Sequence, residues 1–246
     1  MPIDPAYFPP LNIPSMGGVV TPKKAIVVWV DATKAFACKK AEIPADAKNL
    51  RPDGYPPLHI GERNLELMGD HLETWAPIFK EAGLDVLATV DTHNWNDALQ
   101  QAERMIYPEH ATEGTYECEL IGAISRYVDF TIAKSTYDSF FETDLQQQLE
   151  GLHEGLHPIE TVLVIGGFVT HIVVASIAFR AAAMGYRVVV PSFLVGDFQR
   201  IHHQTFVNNV FPSWGVVVLK NEAELAESLG LPKDTADQMR KRLRAA

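Results

Sequence analysis

Short apolar runs alternate with helical patterns along most of this chain. Residues 25–30 form an unbroken apolar run rich in β-branched side chains, which is typical of a strand buried on both faces. Farther on, apolar side chains recur at intervals of three and four residues: Leu65, Met68, Leu72, Trp75 and Phe79. This second pattern predicts an amphipathic helix.

The same alternation continues toward the end of the chain. Further strands are predicted at residues 86–90, 128–133, 161–165, 188–190 and 216–219. A helix rich in small side chains is predicted from about residue 171 to 184, and Gly185 stops it. Strands separated by helices need crossover connections. The expected fold is therefore α/β, a three-layer, doubly wound, mostly parallel sheet with helices on both faces.

The length of the chain and the lack of a linker or repeat predict one domain. With 246 residues, of which 47% are hydrophobic, the chain can bury one large core. We expect a single domain over residues 24–246, because no linker or internal repeat interrupts it. Residues 1–23, rich in Pro and Gly, are expected to form an arm, and residues 39–60 a long loop that covers a site.

The charge balance and the cysteine count argue against several classes of function. A net charge of −10 and an isoelectric point near 5.3 disfavour nucleic acid or an anionic membrane as a partner. No apolar run is long enough to cross a membrane, and the first residues lack the pattern of a secretory signal. The two cysteines, Cys38 and Cys118, do not make a disulfide framework. A cytoplasmic protein is therefore expected.

Polar residues occur where the predicted strands end. Asp31 follows the first strand, Asp91 the second and Lys134 the third, and a turn at residues 166–173 follows the fourth. In parallel sheets, ligands bind beyond the carboxyl ends of the strands. For a single aspartate the ordinary alternative is a turn or a helix cap, and for a single lysine it is a solvated surface charge. Four coincident strand ends favour a functional site.

Several short motifs follow one another around these residues. They lie at residues 30–36 (VDATKAF), 133–140 (AKSTYDSF) and 167–173 (GFVTHIV), with Gly185 twelve residues beyond the last. Together they resemble the isochorismatase-like, nicotinamidase-type cysteine hydrolases, whose motifs read roughly D-x-Q-x-x-F, K-x-x-Y-S-A-F and G-x-x-T-x-x-C-V. The resemblance covers roughly residues 24–220 and implies the isochorismatase-like hydrolase fold.

The resemblance also implies a catalytic triad of Asp, Lys and Cys. Asp31 would serve as general acid/base with Lys134 beside it, a pair in which each ion offsets the desolvation of the other. The position of the cysteine is occupied by Val173, which has no nucleophilic atom. Without a thiol no thioester intermediate forms, so the usual amidase chemistry of the family is not expected.

No nearby residue replaces the missing thiol. Ser176 lies nearly one helical turn beyond position 173, while Cys38 and Cys118 belong to other segments. True isochorismatases, in the same superfamily, hydrolyse a vinyl ether by protonating its enol carbon, a reaction that needs water but no nucleophilic residue. Their nucleophile segment carries a histidine at the position of His171, although the arginine that binds their substrate carboxylate has no clear equivalent in this chain.

A second group of residues resembles the metal site of nicotinamidases. Asp91 and His93 form a D-x-H pair at a strand end, and His110 follows in a segment similar to W-P-x-H. Carboxylate and imidazole together suit a divalent first-row ion, with zinc, iron and manganese all open, and no organic cofactor is expected. A structural role is the ordinary alternative for any one histidine, and true isochorismatases generally lack the D-x-H pair.

The resemblance further implies contacts with the substrate. The expected contact residues are Phe36, Tyr107, Thr170 and His171, and Tyr107 replaces an aromatic residue that packs on the substrate ring. Four other histidines lie in polar or helical stretches and are interpreted as surface or structural residues: His153, His157, His202 and His203.

Three hypotheses from different classes remain open. The first is a hydrolase of a small amide or enol ether that works without cysteine, with Asp31 as general acid/base and water, free or metal-bound, as the attacking group. The second is a catalytically silent protein that binds a small molecule. The third is a structural subunit of a homo-oligomer that uses the arm as its contact. The first is favoured, because a decayed site would lose charges that are costly to bury.

Overall fold

A computed structural model describes residues 3–245 of the chain. Met1 and Pro2, which begin the predicted arm, and Ala246, which ends the predicted domain, lie outside the described residues. Within residues 3–245, no helix combines the length and the apolar character that are needed to span a membrane.

The predicted arm contains a small hairpin. Its strands, β1 (Leu11–Ile13) and β2 (Gly18–Val20), pair in antiparallel fashion. The guanidinium group of Arg187 donates hydrogen bonds to the carbonyl oxygens of Pro9 at 2.8 Å and Val20 at 3.2 Å. These bonds attach the chain on both sides of the hairpin to the central sheet. A role of the arm in oligomer contacts stays a prediction.

A seven-stranded parallel sheet forms the centre of the protein. Its strands are β3 (Lys24–Val30), β4 (Asp85–Asp91), β5 (Phe130–Lys134), β6 (Thr161–Phe168), β7 (Arg187–Pro191), β8 (Val195–Gly196) and β9 (Val217–Leu219). They are ordered β5-β4-β3-β6-β7-β9, with β8 beside the end of β6, and all pairs are parallel. The order reverses between β3 and β6, so the doubly wound sheet predicted from the sequence is confirmed.

Helices lie between these strands and after the last one. They are α1 (Lys34–Ala37), α2 (Glu62–Glu81), α3 (Gln101–Arg104), α4 (Gly122–Ser125), α5 (Leu145–Leu152), α6 (Ala175–Ala183), α7 (Arg200–Thr205), α8 (Phe211–Ser213), α9 (Glu222–Ser228) and α10 (Thr235–Ala245). A π-helical turn (Thr170–Val174) precedes α6, and a second one (Phe206–Val210) joins α7 to α8. Short 3₁₀ turns occur at Pro14–Met16, Lys40–Glu42, Ala98–Gln100, Tyr116–Cys118, Pro158–Glu160 and Ser192–Leu194.

The side chains of β3 alternate between two hydrophobic layers, as the period of a strand requires. Val27 and Trp29 pack on one side with apolar residues of α2, and the ring centroids of Trp29 and Phe79 lie 5.9 Å apart. Ile26 and Val28 pack on the other side with residues of α6. Burying side chains of this size contributes about 1.5–3 kcal/mol each. The unbroken apolar run therefore follows from the two covered faces.

The strand registers bring the polar strand ends together. Val30 of β3 pairs with Gly167 of β6, and Asp91 pairs with Lys134 as the last residues of β4 and β5. A Cβ atom at Gly167 would lie 1.9 Å from the carbonyl oxygen of Val30, so only glycine permits this approach. Asp31 follows β3 with a φ of 47°, a left-handed conformation that aspartate adopts more readily than most residues.

The predicted covering loop at residues 39–60 is anchored at its end. The imidazole of His59 accepts a hydrogen bond from the backbone N–H of Gly61 at 3.0 Å and donates from Nε2 to the carbonyl oxygen of Cys38 at 2.9 Å. This anchor places the neighbouring Leu58 against the carboxyl edge of the sheet, where it lines a cavity.

Candidate active site

A buried lysine joins two carboxylates at the carboxyl ends of β3, β4 and β5. The Nζ atom of Lys134 lies 2.7 Å from Oδ2 of Asp31 and 3.1 Å from Oδ1 of Asp91. The side chains of Lys134 and Asp31 are 1% and 0% exposed. Asp31 also accepts a hydrogen bond from the hydroxyl of Thr89 at 3.3 Å. Ions so far removed from water are tolerated only when paired, so the three groups form one charged unit.

The three groups respond differently to burial. Burial raises the pKa of Asp31 to about 7, although the charge of Lys134 opposes the shift. Burial alone would lower the pKa of Lys134, but the charges of Asp31 and Asp91 outweigh it and raise that pKa above its ordinary value. Burial would raise the pKa of Asp91, yet Lys134 and hydrogen bonds from two histidines hold it well below its ordinary value. At neutral pH, Asp31 is therefore the member of the unit that can take up or release a proton.

Asp31 faces a small cavity with mainly apolar and aromatic walls. Val173, in the π-helical turn before α6, lines this cavity and is buried. The other lining residues are Phe36, Leu58, Asp91, Glu103, Tyr107, His110, Tyr137, Val169, Ile172 and Phe198. The structure thus places the predicted acid/base and the predicted nucleophile position in one cavity, and Leu58 of the covering loop closes part of it.

Two histidines and two carboxylates converge beside the lysine. Oδ2 of Asp91 lies 3.0 Å from Nε2 of His93 and 3.2 Å from Nε2 of His110. The carboxylate of Glu103 lies 3.9 Å from the Nε2 atom of His93 and 3.7 Å from that of His110. Ligand atoms from the four residues all lie within 4.8 Å of one another. This spacing suits a metal ion held by nitrogen and oxygen ligands.

Hydrogen bonds of the two imidazole rings determine which nitrogen carries the proton. Nδ1 of His93 lies 3.1 Å from Oε1 of Gln100, and Nδ1 of His110 lies 2.9 Å from the carbonyl oxygen of Pro108. Both oxygens can only accept, so each Nδ1 donates. The Nε2 atoms therefore face the carboxylates either as donors of cationic rings or as lone pairs that share a cation. In both cases positive charge is required between the carboxylates, and the donor set fits a divalent ion.

Glu103 is a member of this group that the sequence patterns do not single out. The backbone N–H of Tyr107 donates to the carbonyl oxygen of Glu103 at 2.9 Å, so the two residues lie one helical turn apart. A helix assumed through this segment would have placed Glu103 on the same face as Tyr107, and that spacing is the signal that marks it. Burial raises the pKa of Glu103, and the charge of Asp91 adds to the shift.

The predicted substrate contacts fall in two places. Phe36 and Tyr107 line the cavity, whereas Thr170 and His171 are not among the described residues that line it. The hydroxyl of Thr170 donates to the carbonyl oxygen of Gly196 at 2.9 Å. Nδ1 of His171 lies 2.7 Å from a carboxylate in the loop after β8. A substrate contact for these two residues stays a prediction.

Tyr137 is a cavity residue that was not predicted as a contact. Its hydroxyl oxygen is buried and makes no well-aligned hydrogen bond within residues 3–245, although it interacts with the carboxylate of Glu103. Burial raises the pKa of Tyr137, and the charge of Glu103 adds to the shift, so the group remains an O–H donor at physiological pH. Its place three residues after Lys134, in the K-x-x-Y motif, is the signal that could have marked it.

Neither cysteine is among the described residues that line the cavity. Cys38 is buried, and burial raises the pKa of its thiol to about 12. Burial also raises the pKa of Cys118, whose thiol donates to the carbonyl oxygen of Ala111 at 3.2 Å. Both thiols therefore remain protonated at neutral pH, a form that is a poor nucleophile.

Comparison with known proteins supports the fold. The isochorismatase domain matches residues 64–222, more than half of the chain. Nicotinamidase/pyrazinamidase PncA from Bacillus subtilis is 25% identical with a TM-score of 0.64, covering 80% of this chain and 100% of that chain. Pyrazinamidase from Pyrococcus horikoshii in complex with zinc is 20% identical with a TM-score of 0.63, covering 81% of this chain and 100% of that chain. No curated protein matches the chain.

Fold and domain match together define an α/β protein of the isochorismatase-like hydrolase class. The chain belongs to the isochorismatase domain family. A further solved relative, N-carbamoylsarcosine amidase from Thermoplasma acidophilum, is 21% identical with a TM-score of 0.57, covering 80% of this chain and 96% of that chain. The named relatives are hydrolases, and one of them binds zinc.

Proposed function

We propose that this protein hydrolyses a small, uncharged amide or enol ether without a cysteine nucleophile, with Val173 at the nucleophile position. The observation that carries the proposal is the position of Asp31, a fully buried carboxyl that faces the cavity 2.7 Å from Lys134. Burial raises the pKa of this carboxyl to about 7. A general acid/base is most effective when its pKa is close to the working pH. The proposed hydrolase domain spans residues 24–246, with residues 1–23 as its arm.

One carboxyl serves both candidate reactions. In amide hydrolysis, ionised Asp31 accepts a proton from the water that attacks the carbonyl carbon, and passes it to the leaving nitrogen as the C–N bond breaks. In enol ether hydrolysis, protonated Asp31 first donates its proton to the enol carbon, and water adds to the resulting oxocarbenium ion and returns a proton to Asp31. The hemiketal then breaks at its C–O bond as the hydroxyl proton moves to the leaving oxygen, which releases a carbonyl compound and an alcohol. In both, Lys134 keeps the carboxylate in place and offsets its charge while it is ionised.

The charges around the cavity favour an uncharged substrate. Three carboxylates line it, those of Asp31, Asp91 and Glu103. The lysine beside them is already paired with two of the three, and no arginine is among the described lining residues. An anionic substrate would find no free counter-charge, whereas a flat uncharged one would pack against the rings of Phe36 and Tyr107.

Asp91, His93, Glu103 and His110 are the residues that would hold a divalent metal ion. Two imidazoles and two carboxylates accept zinc, iron or manganese. An ion bound there would supply Lewis-acid charge beside the cavity and would balance the carboxylates. The donor orientation of the two histidines supports this assignment, because both Nδ1 atoms are already committed to oxygen acceptors.

A protein that binds a small molecule without turnover is the second candidate. It is favoured by Val173, which gives the cavity an apolar side chain where relatives of the class would offer a thiol. A panel of nicotinamide and related small uncharged amides and enol ethers, tested with and without added divalent metal, separates the two candidates, and isochorismate, a dianion, serves as the anionic comparison that should not be turned over. We expect turnover of at least one compound. Binding without turnover across the panel would reject the hydrolase and support the second candidate.

A further inference from the structure

Three side chains from separate elements meet on another part of the protein. His171 belongs to the π-helical turn Thr170–Val174, Asp197 follows β8, and His202 lies in the first turn of α7. Nδ1 of His171 lies 2.7 Å from Oδ2 of Asp197, and Nδ1 of His202 lies 3.8 Å from Oδ1 of the same carboxylate. These ligand atoms all lie within 4.8 Å of one another. None of the three residues belongs to the group formed by Asp91, His93, Glu103 and His110.

The environment of the carboxylate explains its fixed position. The side chain of Asp197 is 1% exposed, and it accepts hydrogen bonds from the backbone N–H groups of His171 at 3.1 Å and Gln199 at 3.2 Å. These bonds hold both carboxylate oxygens toward the two imidazole rings, whose centroids lie 4.3 Å apart. Oδ2 also faces Nδ1 of His171 at 2.7 Å, so Oδ1 is the oxygen that keeps a lone pair for another partner.

Among the three residues of the cluster, His202 has a ring nitrogen without a hydrogen-bond partner in the described part of the chain. This nitrogen, Nδ1, is buried. The 3.8 Å separation from Asp197 is too long for a hydrogen bond. A buried polar atom aimed at a buried carboxylate without bonding to it indicates that something belongs between them. The side chain as a whole is 42% exposed, so the cluster lies close to the protein surface.

We propose that His171, Asp197 and His202 bind a second divalent cation. Two imidazole nitrogens and one carboxylate form a donor set used for zinc and for iron(II). In a tetrahedral zinc site, neighbouring ligand atoms lie about 3.3 Å apart. The observed separations of 2.7 and 3.8 Å lie on both sides of this value, so Asp197 lies near the spacing that such a site requires from each imidazole. Binding displaces the proton that His171 shares with Asp197.

A simple His–Asp link is the alternative explanation of the cluster. Such a link needs only His171, and it does not account for the inward orientation of His202. The neighbours Ile172 and Phe198 line the cavity that contains Val173. The second ion would therefore stabilise the part of the cavity wall formed by Ile172 and Phe198, a structural role that is independent of the proposed hydrolysis.

Metal stoichiometry tests the proposal. Chelator-treated wild-type protein is titrated with zinc chloride by calorimetry, and the loaded protein is analysed for zinc after gel filtration. We expect two zinc ions per chain for wild type, one for His202→Ala, one for His93→Ala and none for the double variant. His203→Ala is the matched control, because Nδ1 of this neighbour lies 3.2 Å from the Thr170 hydroxyl and His203 is not a member of the three-residue cluster, so its removal should leave two ions.

Two results would overturn the second site. One is a wild-type protein that binds a single ion, all of which is lost in His93→Ala. The other is a His202→Ala variant that keeps two ions with affinities within about twofold of wild type, where loss of a ligand should cost at least about tenfold. Circular dichroism of each variant checks folding, and Asp197→Asn, which keeps the shape of the side chain, provides an independent variant with the same expected loss.

Discussion

Replacing Asp31 by Asn removes the titrating group of the cavity while keeping its shape. The substitution preserves an acceptor for the Thr89 hydroxyl, which bonds Asp31 at 3.3 Å. Asparagine also tolerates the φ of 47° at this position, whereas alanine would be strained there by about 1–2 kcal/mol. Lys134 keeps its contact with Asp91 at 3.1 Å, so the lysine is not left without a counter-charge. The fold should therefore survive.

The expected loss of activity follows from the role of the carboxyl. A positioned general acid/base contributes about 10²–10⁴-fold to the rate. Its removal should raise the activation barrier by about 3–5 kcal/mol, at about 1.4 kcal/mol for each tenfold change. Loss of the 2.7 Å Lys134 contact should also destabilise the fold, but by less than the roughly 3–5 kcal/mol that follows when a buried ion loses its only partner.

The assay compares wild type, Asp31→Asn and Asp234→Asn on whichever panel compound is turned over. Asp234 is an exposed carboxylate, so its variant controls for the change of charge. We expect kcat to fall by at least about 10²-fold in Asp31→Asn alone, with ligand affinity within a few fold of wild type. If the folded variant keeps more than about a tenth of wild-type kcat, Asp31 is not the acid/base and the mechanism is wrong.

Three further predictions test the same site. Because the pKa of Asp31 is about 7, amide turnover, which needs the ionised form, should rise as pH increases through about 7. Enol ether turnover, which needs the protonated form, should fall over the same range. A rate that does not vary with pH there would contradict the assignment. Iodoacetamide should leave activity intact, because Cys38 and Cys118 do not line the cavity, and stoichiometric inactivation that substrate prevents would refute this. His93→Ala should remove a divalent ion bound beside the cavity, as measured by elemental analysis, and wild-type protein free of metal after growth in metal-replete medium would reject that site.

The layers of the fold were predictable from the sequence because buried strands and helices each have a characteristic pattern of apolar residues. A strand covered on both faces must be apolar throughout, and residues 25–30 show this pattern. Strand ends were less well predicted. The third strand was expected at residues 128–133 but occupies Phe130–Lys134, since its ends depend on pairing with β4, where Leu87 faces Phe130. As a result Lys134 is the last residue of its strand and does not follow it.

The sequence by itself also indicated Asp31, Lys134 and Val173 as candidate site residues, because each lies in a short motif at or just after the end of a strand. Only the tertiary structure placed Glu103 beside the two histidines of the candidate metal site and turned His202, predicted to be a surface or structural residue, toward Asp197. Glu103 and His202 lie in the short helices α3 and α7, and their contacts depend on how these helices fold back against the sheet. Helices of this length are too short to show a clear hydrophobic period, so the neighbours of their side chains are decided mainly by long-range packing.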